Sequence, residues 1–286
     1  MLWLLLVALA VKGGSADDDV VTLRTDGAEA SIHRQGATVI SWKVGSRERL
    51  FLSAANKLDQ LNGTHIMGGV PVVFPKFADW GPNRPFHGFA RISRWDLVKA
   101  EDGKAVFELK DSEVTRGYWN HTFRLEYSVT LESKQLRSDL RIFNTSPTKF
   151  NFEVLYHTFI RVQDVRNITL TGLQGLEYQD KTRDFKESTE TRDVLKIQDF
   201  TDSIYEDTPM VHNITNTIDG QTLKLTKSGL PDLVVWNPWS EEIKTFSDLQ
   251  PNEWTDFVCA EAGHVVSQIE LLPGCDYQAT QTLSIL

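Results

Sequence analysis

Two side chains in this sequence, a carboxylic acid and an imidazole, stand in apolar segments where they could perform acid–base chemistry. Glu261 follows the apolar run 257–260 in the stretch TDFVCAEAG. His157 lies within NFEVLYHTFIRV, residues 151–162. A buried carboxylate needs a partner or a raised pKa, and a carboxyl group beside an imidazole suits paired general acid and base catalysis near neutral pH. The two residues are far apart in the sequence, so their spacing does not show that they meet.

The segment 151–162 has the period of two that is typical of a β-strand. Its even positions form an apolar face that consists of Phe152, Val154, Tyr156, Ile160 and Val162. If that face fills the core, His157 points to the other side of the sheet. This other side carries a mixture of polar and apolar residues. It is either a ligand cleft or an ordinary solvated face, and the strand alone does not decide between them.

Most other catalytic motifs are missing from the sequence. The histidines form no H-x-H or H-E-x-x-H pattern, and the two cysteines do not stand at metal-ligand spacing. No P-loop, dinucleotide-binding glycine motif or G-x-S-x-G elbow occurs, so we predict no metal site and no cofactor. The sequence does not exclude a catalytic carboxylate pair of the glycoside-hydrolase type, but no two of its acidic residues are marked out as such a pair. Trp80, Trp236 and Trp239 lie near glycines and prolines and are candidates for stacking on sugar rings.

Short strands must position these residues. Residues 123–132 alternate apolar and polar side chains, and 136–144 repeat the pattern after a turn-like SKQ, which predicts a β-hairpin. Further strands are predicted at 20–24, 28–33, 37–43, 105–110, 152–162, 222–226, 232–236, 255–261 and 280–285. No sustained helical periodicity occurs, so the fold class is an all-β sandwich. Residues 57–90, rich in Gly, Pro and Asn, are predicted to be a long ordered loop with a functional role.

Composition is consistent with this fold class and excludes some functions. The 286 residues are 41% hydrophobic and 24% charged, which suits one globular domain over residues 17–286. The net charge of −9 argues against non-specific binding to nucleic acid. The sequence contains no basic amphipathic helix, so it gives no indication of a role at a membrane surface. The expected partner is a small molecule, and the protein is expected to be a monomer.

The first residues differ from the rest of the chain. Residues 1–16, MLWLLLVALAVKGGSA, combine a short apolar run with a small-residue cleavage site, which predicts a cleaved signal peptide. The alternatives are an uncleaved anchor and a wrongly assigned start. Five N-x-S/T sequons favour the secretory pathway and predict surface glycosylation at Asn62, Asn120, Asn144, Asn167 and Asn213. We therefore expect a secreted protein or one in the secretory lumen, without a membrane segment after cleavage.

Cys259 and Cys275 could form one disulfide in an oxidising compartment. The alternative is that Cys259, which lies in an apolar run, is a free thiol that fills space in the core. Sequence does not decide between the two.

Six blocks resemble one family in order and spacing, the glucose-6-phosphate 1-epimerases (hexose-6-phosphate mutarotases) of the aldose 1-epimerase superfamily. They are GGVPVVFPKF (68–77), HGFAR (87–91), LYHTF (155–159), GLEYQDK (175–181), VVWNPW (234–239) and AEAG (260–263). The resemblance covers about residue 20 to the C-terminus. It implies the galactose-mutarotase-like β-sandwich, or supersandwich, with a cleft across one sheet. In the last block Ala262 replaces the usual proline, which should change loop stiffness more than chemistry.

The resemblance also implies roles for individual residues. Glu261 corresponds to the general base that takes the proton of the anomeric hydroxyl, and His157 to the general acid that protonates the ring oxygen. Ring opening, rotation and reclosure then interconvert the α and β anomers without a cofactor. Arg91 and His87 correspond to substrate-binding residues, and Asp202, in FTDSIY, to an aspartate that hydrogen-bonds sugar hydroxyls; its alternative is a turn aspartate.

Two positions depart from the family pattern and concern the phosphate. Met67 takes the place of the arginine that normally precedes Gly-Gly in the phosphate-using branch, and Phe86 stands where a polar residue is common. Methionine offers no bidentate contact to a phosphate. Either Arg91 with Lys76, Arg84 or another cation binds the phosphate, or the substrate is an unphosphorylated sugar.

Two other interpretations remain. One is a secreted sandwich that binds carbohydrate without turnover; retention of both His157 and Glu261 speaks against it. The other is a glycan-processing lyase or hydrolase on a similar sandwich, which would need a further carboxylate or tyrosine in the cleft.

Overall fold

The computed structural model of the protein describes residues 19–61 and 63–286. The predicted leader, 1–16, and the sequon residue Asn62 lie outside this part of the chain. Within it, no helix has the length and apolar composition needed to cross a bilayer.

Strands dominate the described part of the chain, and the predicted all-β fold is confirmed. In chain order they are β1 (Val20–Thr25), β2 (Ala28–His33), β3 (Thr38–Val44), β4 (Arg47–Glu48), β5 (Val72–Val73), β6 (Asp96–Glu101), β7 (Lys104–Lys110), β8 (Phe123–Glu132), β9 (Gln135–Asn144), β10 (Phe150–Tyr156), β11 (Phe159–Arg161), β12 (Thr169–Leu170), β13 (Glu177–Asp180), β14 (Lys186–Thr189), β15 (Thr201–Tyr205), β16 (Val211–Thr215), β17 (Leu223–Ser228), β18 (Asp232–Asn237), β19 (Phe257–Leu271) and β20 (Asp276–Ile285). Two short α-helices, α1 (Glu113–Tyr118) and α2 (Trp239–Glu242), lie in the connections.

These strands form three sheets, and the named strands of each sheet pair antiparallel. The small first sheet has the order β1-β2-β3-β4. The second has the order β14-β13-β15-β18-β19-β10-β5, with β11 beside β19. The third has the order β12-β16-β17-β20-β9-β8-β7-β6 and contains the predicted hairpin as β8 and β9.

The core lies between the second and third sheets. Phe152 and Tyr156 of β10 belong to the same buried cluster as Tyr127 of β8. The Tyr156 hydroxyl donates a hydrogen bond to the carbonyl of Ala279 on β20 at 3.0 Å, which joins the two sheets through the core. The even positions of 151–162 therefore fill the core, as their alternation predicts. The odd positions lie on the outer face of the second sheet.

The strand that carries Glu261 is longer than predicted. The predicted strand ends at residue 261, whereas β19 runs to Leu271, so Glu261 lies inside a strand and not at its end. Gly263 permits close packing here, since a Cβ at this position would lie 2.9 Å from the side chain of Leu155 on β10. Ala262 is likewise a strand residue that pairs with both neighbouring strands, so its replacement of proline concerns the sheet and not a loop.

Beyond this point the pairing of β19 with β10 becomes irregular, and a side chain supplies hydrogen-bond acceptors. The buried carboxylate of Asp232 accepts hydrogen bonds from the backbone N–H groups of Val265 and Val266 at 2.7 and 3.0 Å. The register with β10 shifts at the same place. A side chain from β18 thus supplies the acceptors that the irregular ladder lacks, and the strand continues.

The predicted strand 152–162 is interrupted at the functional residue. β10 ends at Tyr156 and β11 begins at Phe159, so His157 and Thr158 lie between them. The backbone N–H of His157 donates to the carbonyl of Pro71 at 3.0 Å and that of Thr158 to Tyr156 at 2.9 Å. The backbone N–H of His157 is therefore bonded to the loop that contains Pro71 and not to a neighbouring strand of the sheet.

The predicted loop region 57–90 packs tightly against the sheets and contains β5. Its glycines are required where the backbone comes closest. Gly69 has φ +68°, and a Cβ there would lie 2.1 Å from the carbonyl oxygen of Val39. Gly88 has φ +76°, and a Cβ there would lie 2.1 Å from the carbonyl oxygen of Phe74. Gly69 therefore lies against β3 of the first sheet and Gly88 against the backbone at Phe74, and Met67 and His87 stand next to these two close approaches in the chain.

The prediction of a surface glycan at Asn144 is wrong. Its side chain is buried, and Nδ2 donates hydrogen bonds to the carbonyls of Thr148 and Leu271 at 3.0 and 2.8 Å. A sequon records only residue types, whereas this asparagine stabilises a turn. Asn120 and Asn167 are exposed and Asn213 is half-buried, so glycosylation at these three residues stays a prediction.

Both cysteines are free thiols in the structure. Cys259 is buried on β19, while Cys275 is exposed just before β20 in the other large sheet. The structure therefore favours the alternative in which Cys259 is a free thiol within the fold.

Candidate active site

The five predicted catalytic and substrate-binding residues come together in one cavity. His157, Glu261, Arg91, His87 and Asp202 all line a cavity of about 240 Å³ on the outer face of the second sheet. The remaining lining residues are His65, Ile66, Met67, Pro71, Phe77, Phe86, Phe159, Lys181, Val234, Trp236, Phe246 and Asp248. A cavity of this size suits one small polar ring rather than a macromolecule.

Strand alternation explains why Glu261 faces this cavity. On β19 Val258, Ala260 and Ala262 pack into the main core, so Cys259 and Glu261 point to the opposite face. The carboxyl group is almost completely buried.

His157 lies beside it because β10 pairs with β19. Tyr156 pairs with Ala262 across the two strands, which places the next residue of the chain beside Glu261. The imidazole ring stacks on Phe159, with ring centroids 4.6 Å apart and 9° between the planes. Trp236 and His87 meet the same imidazole edge-on at 6.1 and 5.4 Å. The ring is therefore held by aromatic packing from three directions.

The glutamate and the histidine form a close pair with unused hydrogen-bonding capacity. His157 Nδ1 lies 3.5 Å from Glu261 Oε1. Nδ1 of the histidine and Oε2 of the glutamate are buried, and neither makes a hydrogen bond within the structure. Leaving buried polar atoms unpaired costs about 1–3 kcal/mol each, and such atoms in a native fold call for an explanation. A polar ligand in the cavity would satisfy both.

The surroundings shift the pKa values of the two groups in opposite directions. Burial, with the nearby charge of Asp202, raises the pKa of Glu261 well above its usual range. Burial, with the positive charges of Arg91 and Lys181, lowers the pKa of His157 well below its usual range. Between these two pKa values the pair holds a single proton. One shared proton is what a reversible exchange between a donor and an acceptor requires.

Arg91 is a buried cation at the edge of the cavity. It lies in a 3₁₀ turn, Ala90–Ile92, and its Nε has no hydrogen-bond partner within the structure. Burial lowers the pKa of Arg91 to about 10, against the opposing effect of Asp248 and Glu261. The guanidinium is therefore charged at neutral pH and has a donor free for a ligand.

His87 presents a defined tautomer toward the cavity. Its Nδ1 accepts a hydrogen bond from the backbone N–H of Ala78 at 3.0 Å. Burial and the charge of Arg91 lower the pKa of His87 well below its usual range, so the ring is neutral and carries its proton on Nε2. The ring can thus donate one hydrogen bond through Nε2.

Asp202 is not a turn residue but lies in β15, where it forms an ion pair inside the cavity. Its Oδ2 accepts a hydrogen bond from Lys181 Nζ at 2.7 Å, and both side chains are largely buried. Burial raises the pKa of Asp202, and Lys181 opposes that shift. The pair therefore presents an oriented carboxylate on one wall of the cavity.

A second polar pair and the exposed ring of Phe86 also line the cavity. His65 Nε2 lies 2.8 Å from Asp248 Oδ2. Both residues, with Phe86 and Arg91, also border a neighbouring cavity of about 510 Å³. Met67 is buried in the wall of the first cavity.

Comparison with known proteins decides the family. The profile of the family described as aldose 1-epimerase matches residues 19–284. The chain belongs to the aldose 1-epimerase family. It is an isomerase of the mutarotase class, and the resemblance seen in its sequence blocks is confirmed.

Individual relatives and solved structures agree with the family assignment. A Salmonella typhimurium protein provisionally named glucose-6-phosphate 1-epimerase is 30% identical over 278 residues, which cover 94% of this chain and 91% of that protein. A similarly named protein from Cenchrus ciliaris is 29% identical over 286 residues, 96% of this chain and 86% of that protein. A crystal structure described as a mutarotase from S. typhimurium superposes with a TM-score of 0.84 at 28% identity, covering 94% of this chain and 91% of the other.

Sequence reasoning missed three of the charged residues in the cavity of this epimerase-family protein. Lys181 ends the block GLEYQDK, and its position in a recognised block is the signal that could have found it. His65 and Asp248 lie in loops with no pattern to mark them. They meet only in the folded chain.

Several residues named as candidates lie elsewhere. Lys76 forms an ion pair with Glu153, and Arg84 packs against Trp80, away from the cavity of Glu261. Neither is placed to assist Arg91 with a phosphate. Of the three candidate stacking tryptophans only Trp236 lines the cavity, because Trp239 packs on Trp254.

Removing the charge of Lys181 should shift the pH dependence of catalysis upward. The positive charge of Lys181 lowers the pKa of His157 and of Glu261. In Lys181→Met both pKa values rise, so the acid and the alkaline limbs of the kcat/KM profile both move to higher pH, by on the order of one pH unit. Lys181→Arg keeps the charge and should leave both limbs in place. Limbs that do not move in Lys181→Met would show that Lys181 acts only on Asp202.

Proposed function

We propose that this chain interconverts the α and β anomers of a hexose, with Glu261 and His157 as the acid–base pair. The observation that carries the proposal is that these two buried side chains lie 3.5 Å apart and leave unpaired polar atoms in a cavity the size of one sugar ring. In mutarotation the reacting oxygens O1 and O5 share one carbon atom, C1. A close pair is therefore what the reaction needs, since the acid and the base must reach neighbouring atoms.

The proton cycle closes without any cofactor. The raised pKa of Glu261 and the lowered pKa of His157 favour the shared proton on Glu261, so its transfer to His157 comes first. Glu261, now ionised, takes the proton of the anomeric hydroxyl while His157 gives its proton to O5, and the C1–O5 bond breaks to leave the open-chain aldehyde. Rotation about C1–C2 presents the other face of the carbonyl, and reclosure returns both protons. The pair holds one proton before and after the cycle, and its two arrangements differ by one transfer across 3.5 Å.

The other charged groups orient the sugar in this proposal. Arg91 and the Nε2–H of His87 donate hydrogen bonds to sugar oxygens, and Asp202 accepts from sugar hydroxyls while Lys181 holds its orientation. Trp236 supplies an apolar surface for a ring face. These contacts hold the anomeric carbon against Glu261 and His157 through repeated ring opening.

In this proposal the enzyme accepts an unphosphorylated hexose as a substrate at least as readily as the corresponding hexose 6-phosphate. The provisional names of the relatives point to glucose 6-phosphate. Of the cations that line this cavity, Lys181 is paired with Asp202, which leaves Arg91 for a phosphate. Met67 and Phe246 make the adjacent wall apolar. A single cation supports a weaker preference for the phosphate than an arginine pair would.

Anomer exchange measured by NMR tests the proposal directly. Purified protein is added to glucose, galactose and glucose 6-phosphate, and exchange between the anomeric signals is compared with the spontaneous rate. Acceleration with glucose or galactose supports the proposal. Sugar binding without acceleration of any exchange would instead support the non-catalytic carbohydrate-binding protein.

An arginine at position 67 should create a preference for the phosphorylated sugar. A charge-assisted hydrogen bond contributes about 1.5–3 kcal/mol, so Met67→Arg should raise kcat/KM for glucose 6-phosphate about tenfold or more relative to glucose. Met67→Leu preserves the volume and the apolar character and is the matched control. An equal change for both sugars in Met67→Arg would mean that residue 67 does not face the phosphate.

A further inference from the structure

A third side chain with metal-binding chemistry lies beside the proposed catalytic pair. Cys259 and Glu261 are two residues apart on β19 and project from the same face, next to His157. One donor atom of each residue, the thiol sulfur, a carboxylate oxygen and an imidazole nitrogen, lies within 4.8 Å of the other two. Sequence spacing could not reveal this group, since His157 reaches it only through the pairing of β10 with β19.

The distances and donor types suit a tetrahedral soft or borderline cation. The donors of a tetrahedral zinc ion, at about 2.0–2.3 Å from the metal, lie about 3.3–3.8 Å apart. The Nδ1 of His157 and Oε1 of Glu261 already lie at 3.5 Å, and the set is complete once the remaining donor separations, which do not exceed 4.8 Å, shorten to the same range. Calcium and magnesium prefer oxygen donors throughout and are poor candidates for this group.

The same atoms are free to bind. His157 Nδ1 and Glu261 Oε2 are buried and have no hydrogen-bond partner within the structure, and Cys259 is a buried free thiol. Three protein donors with one side open to a cavity resemble the arrangement of zinc sites that keep a fourth position for an external ligand. His157 and Glu261 line the sugar cavity, whereas Cys259 lies behind them, so an external ligand would reach the ion from the cavity side.

We propose that His157, Cys259 and Glu261 form a reversible binding site for Zn²⁺ or a similar thiophilic cation, and that the bound cation competes with the sugar. Binding releases the thiol proton, and the carboxyl proton where one is present, to solvent, and no oxidation or reduction takes place. Thiolate and carboxylate together neutralise the ion, so the occupied site adds no net positive charge beside Arg91 and Lys181. The competition with sugar turnover rests on the proposed function, whereas the metal site rests on geometry alone.

Spectroscopy on the metal-free full chain tests the site without reference to activity. Cd²⁺ serves as the probe, because its bond to a thiolate gives an ultraviolet charge-transfer band, and Zn²⁺ is then used to displace it. We expect one Cd²⁺ per chain. The band should disappear in Cys259→Ser and persist in Cys275→Ser, which removes the exposed thiol. A band that survives in Cys259→Ser but not in Cys275→Ser, or no binding to the parent chain, overturns the proposal.

Two measurements on the parent chain keep the test independent of how the variants fold. Saturating glucose should weaken Cd²⁺ binding, since both ligands need the same atoms, and an unchanged affinity overturns the shared site. Zn²⁺ should slow anomer exchange by the parent chain, and an unchanged rate at saturating Zn²⁺ overturns the competition. As a further comparison, folded Cys259→Ser should need at least about tenfold more Zn²⁺ for the same inhibition. Metal binding in a chain that accelerates no exchange would leave the metal site standing and remove the epimerase proposal. Catalysis of anomer exchange without metal binding would support the epimerase proposal and remove the metal site.

Discussion

Glu261→Gln should reduce enzyme-catalysed anomer exchange by about 10²–10⁴-fold, the usual contribution of a general acid or base. Glutamine keeps the size and shape of the side chain but cannot take a proton from the anomeric hydroxyl. The native carboxyl is buried, and its Oε2 has no hydrogen-bond partner within the structure. The fold therefore gains little from its charge, and the thermal midpoint of the variant should be unchanged or higher.

Another buried glutamate provides the matched control. The carboxylate of Glu253 accepts hydrogen bonds from the Ser53 hydroxyl at 2.7 Å and from the backbone N–H groups of Ala54 and Gln250 at 2.7 and 2.8 Å. Glu253→Gln removes acceptors that the fold uses and should lower the thermal midpoint while leaving kcat nearly intact. The two variants are thus expected to show opposite effects on activity and stability. A Glu261→Gln protein that unfolds, or that still catalyses exchange, would assign the residue a structural role.

Local alternation was enough to predict the longest strands, but it did not predict β4–β6 or β12–β16, and β13–β15 belong to the sheet that carries the site. The segment 123–132 buries one parity of its residues along its whole length, since β8 is covered by the core on one side only. Two further errors occur where a distant residue decides the outcome. β19 continues past residue 261 because Asp232 supplies acceptors from β18, and Asn144 is buried because Leu271 accepts from it. Neither contact can be predicted from the pattern of apolar and polar residues in the local sequence.

The candidate site could be predicted only in part for the same reason. The alternation of 151–162 predicts that His157 leaves the core if the even face fills it, whereas the apolar run before Glu261 does not show which way that side chain points, and their meeting depends on the register of Tyr156 against Ala262. Family resemblance supplied that pairing, because it compares whole chains. It did not supply the hydrogen-bonded pair of His65 and Asp248, which joins two loops and borders both cavities. Loop contacts of this kind follow from the assembled surface and not from any repeating pattern.

His157→Gln tests whether the two groups act as a unit. The variant loses the proton donor for O5 and should lose about as much activity as Glu261→Gln, within the same 10²–10⁴-fold range. The stacking of the imidazole on Phe159 is also lost, so a modest fall in thermal stability accompanies the change. Sugar binding, measured by calorimetry, should persist in both variants, because Arg91, Asp202 and Lys181 are untouched.

The double variant gives the sharper result. If the proton taken from O1 and the proton given to O5 belong to one cycle, breaking either half stops the cycle, and Glu261→Gln/His157→Gln should be little slower than either single variant. Independent contributions would instead multiply and give a far larger loss. A double variant whose deficit equals the product of the single deficits would mean that the 3.5 Å pair is a coincidence of packing, with each group serving the sugar separately. A shared deficit would show that a single proton, held between two buried side chains of opposite pKa shift, drives both the opening and the closing of the ring.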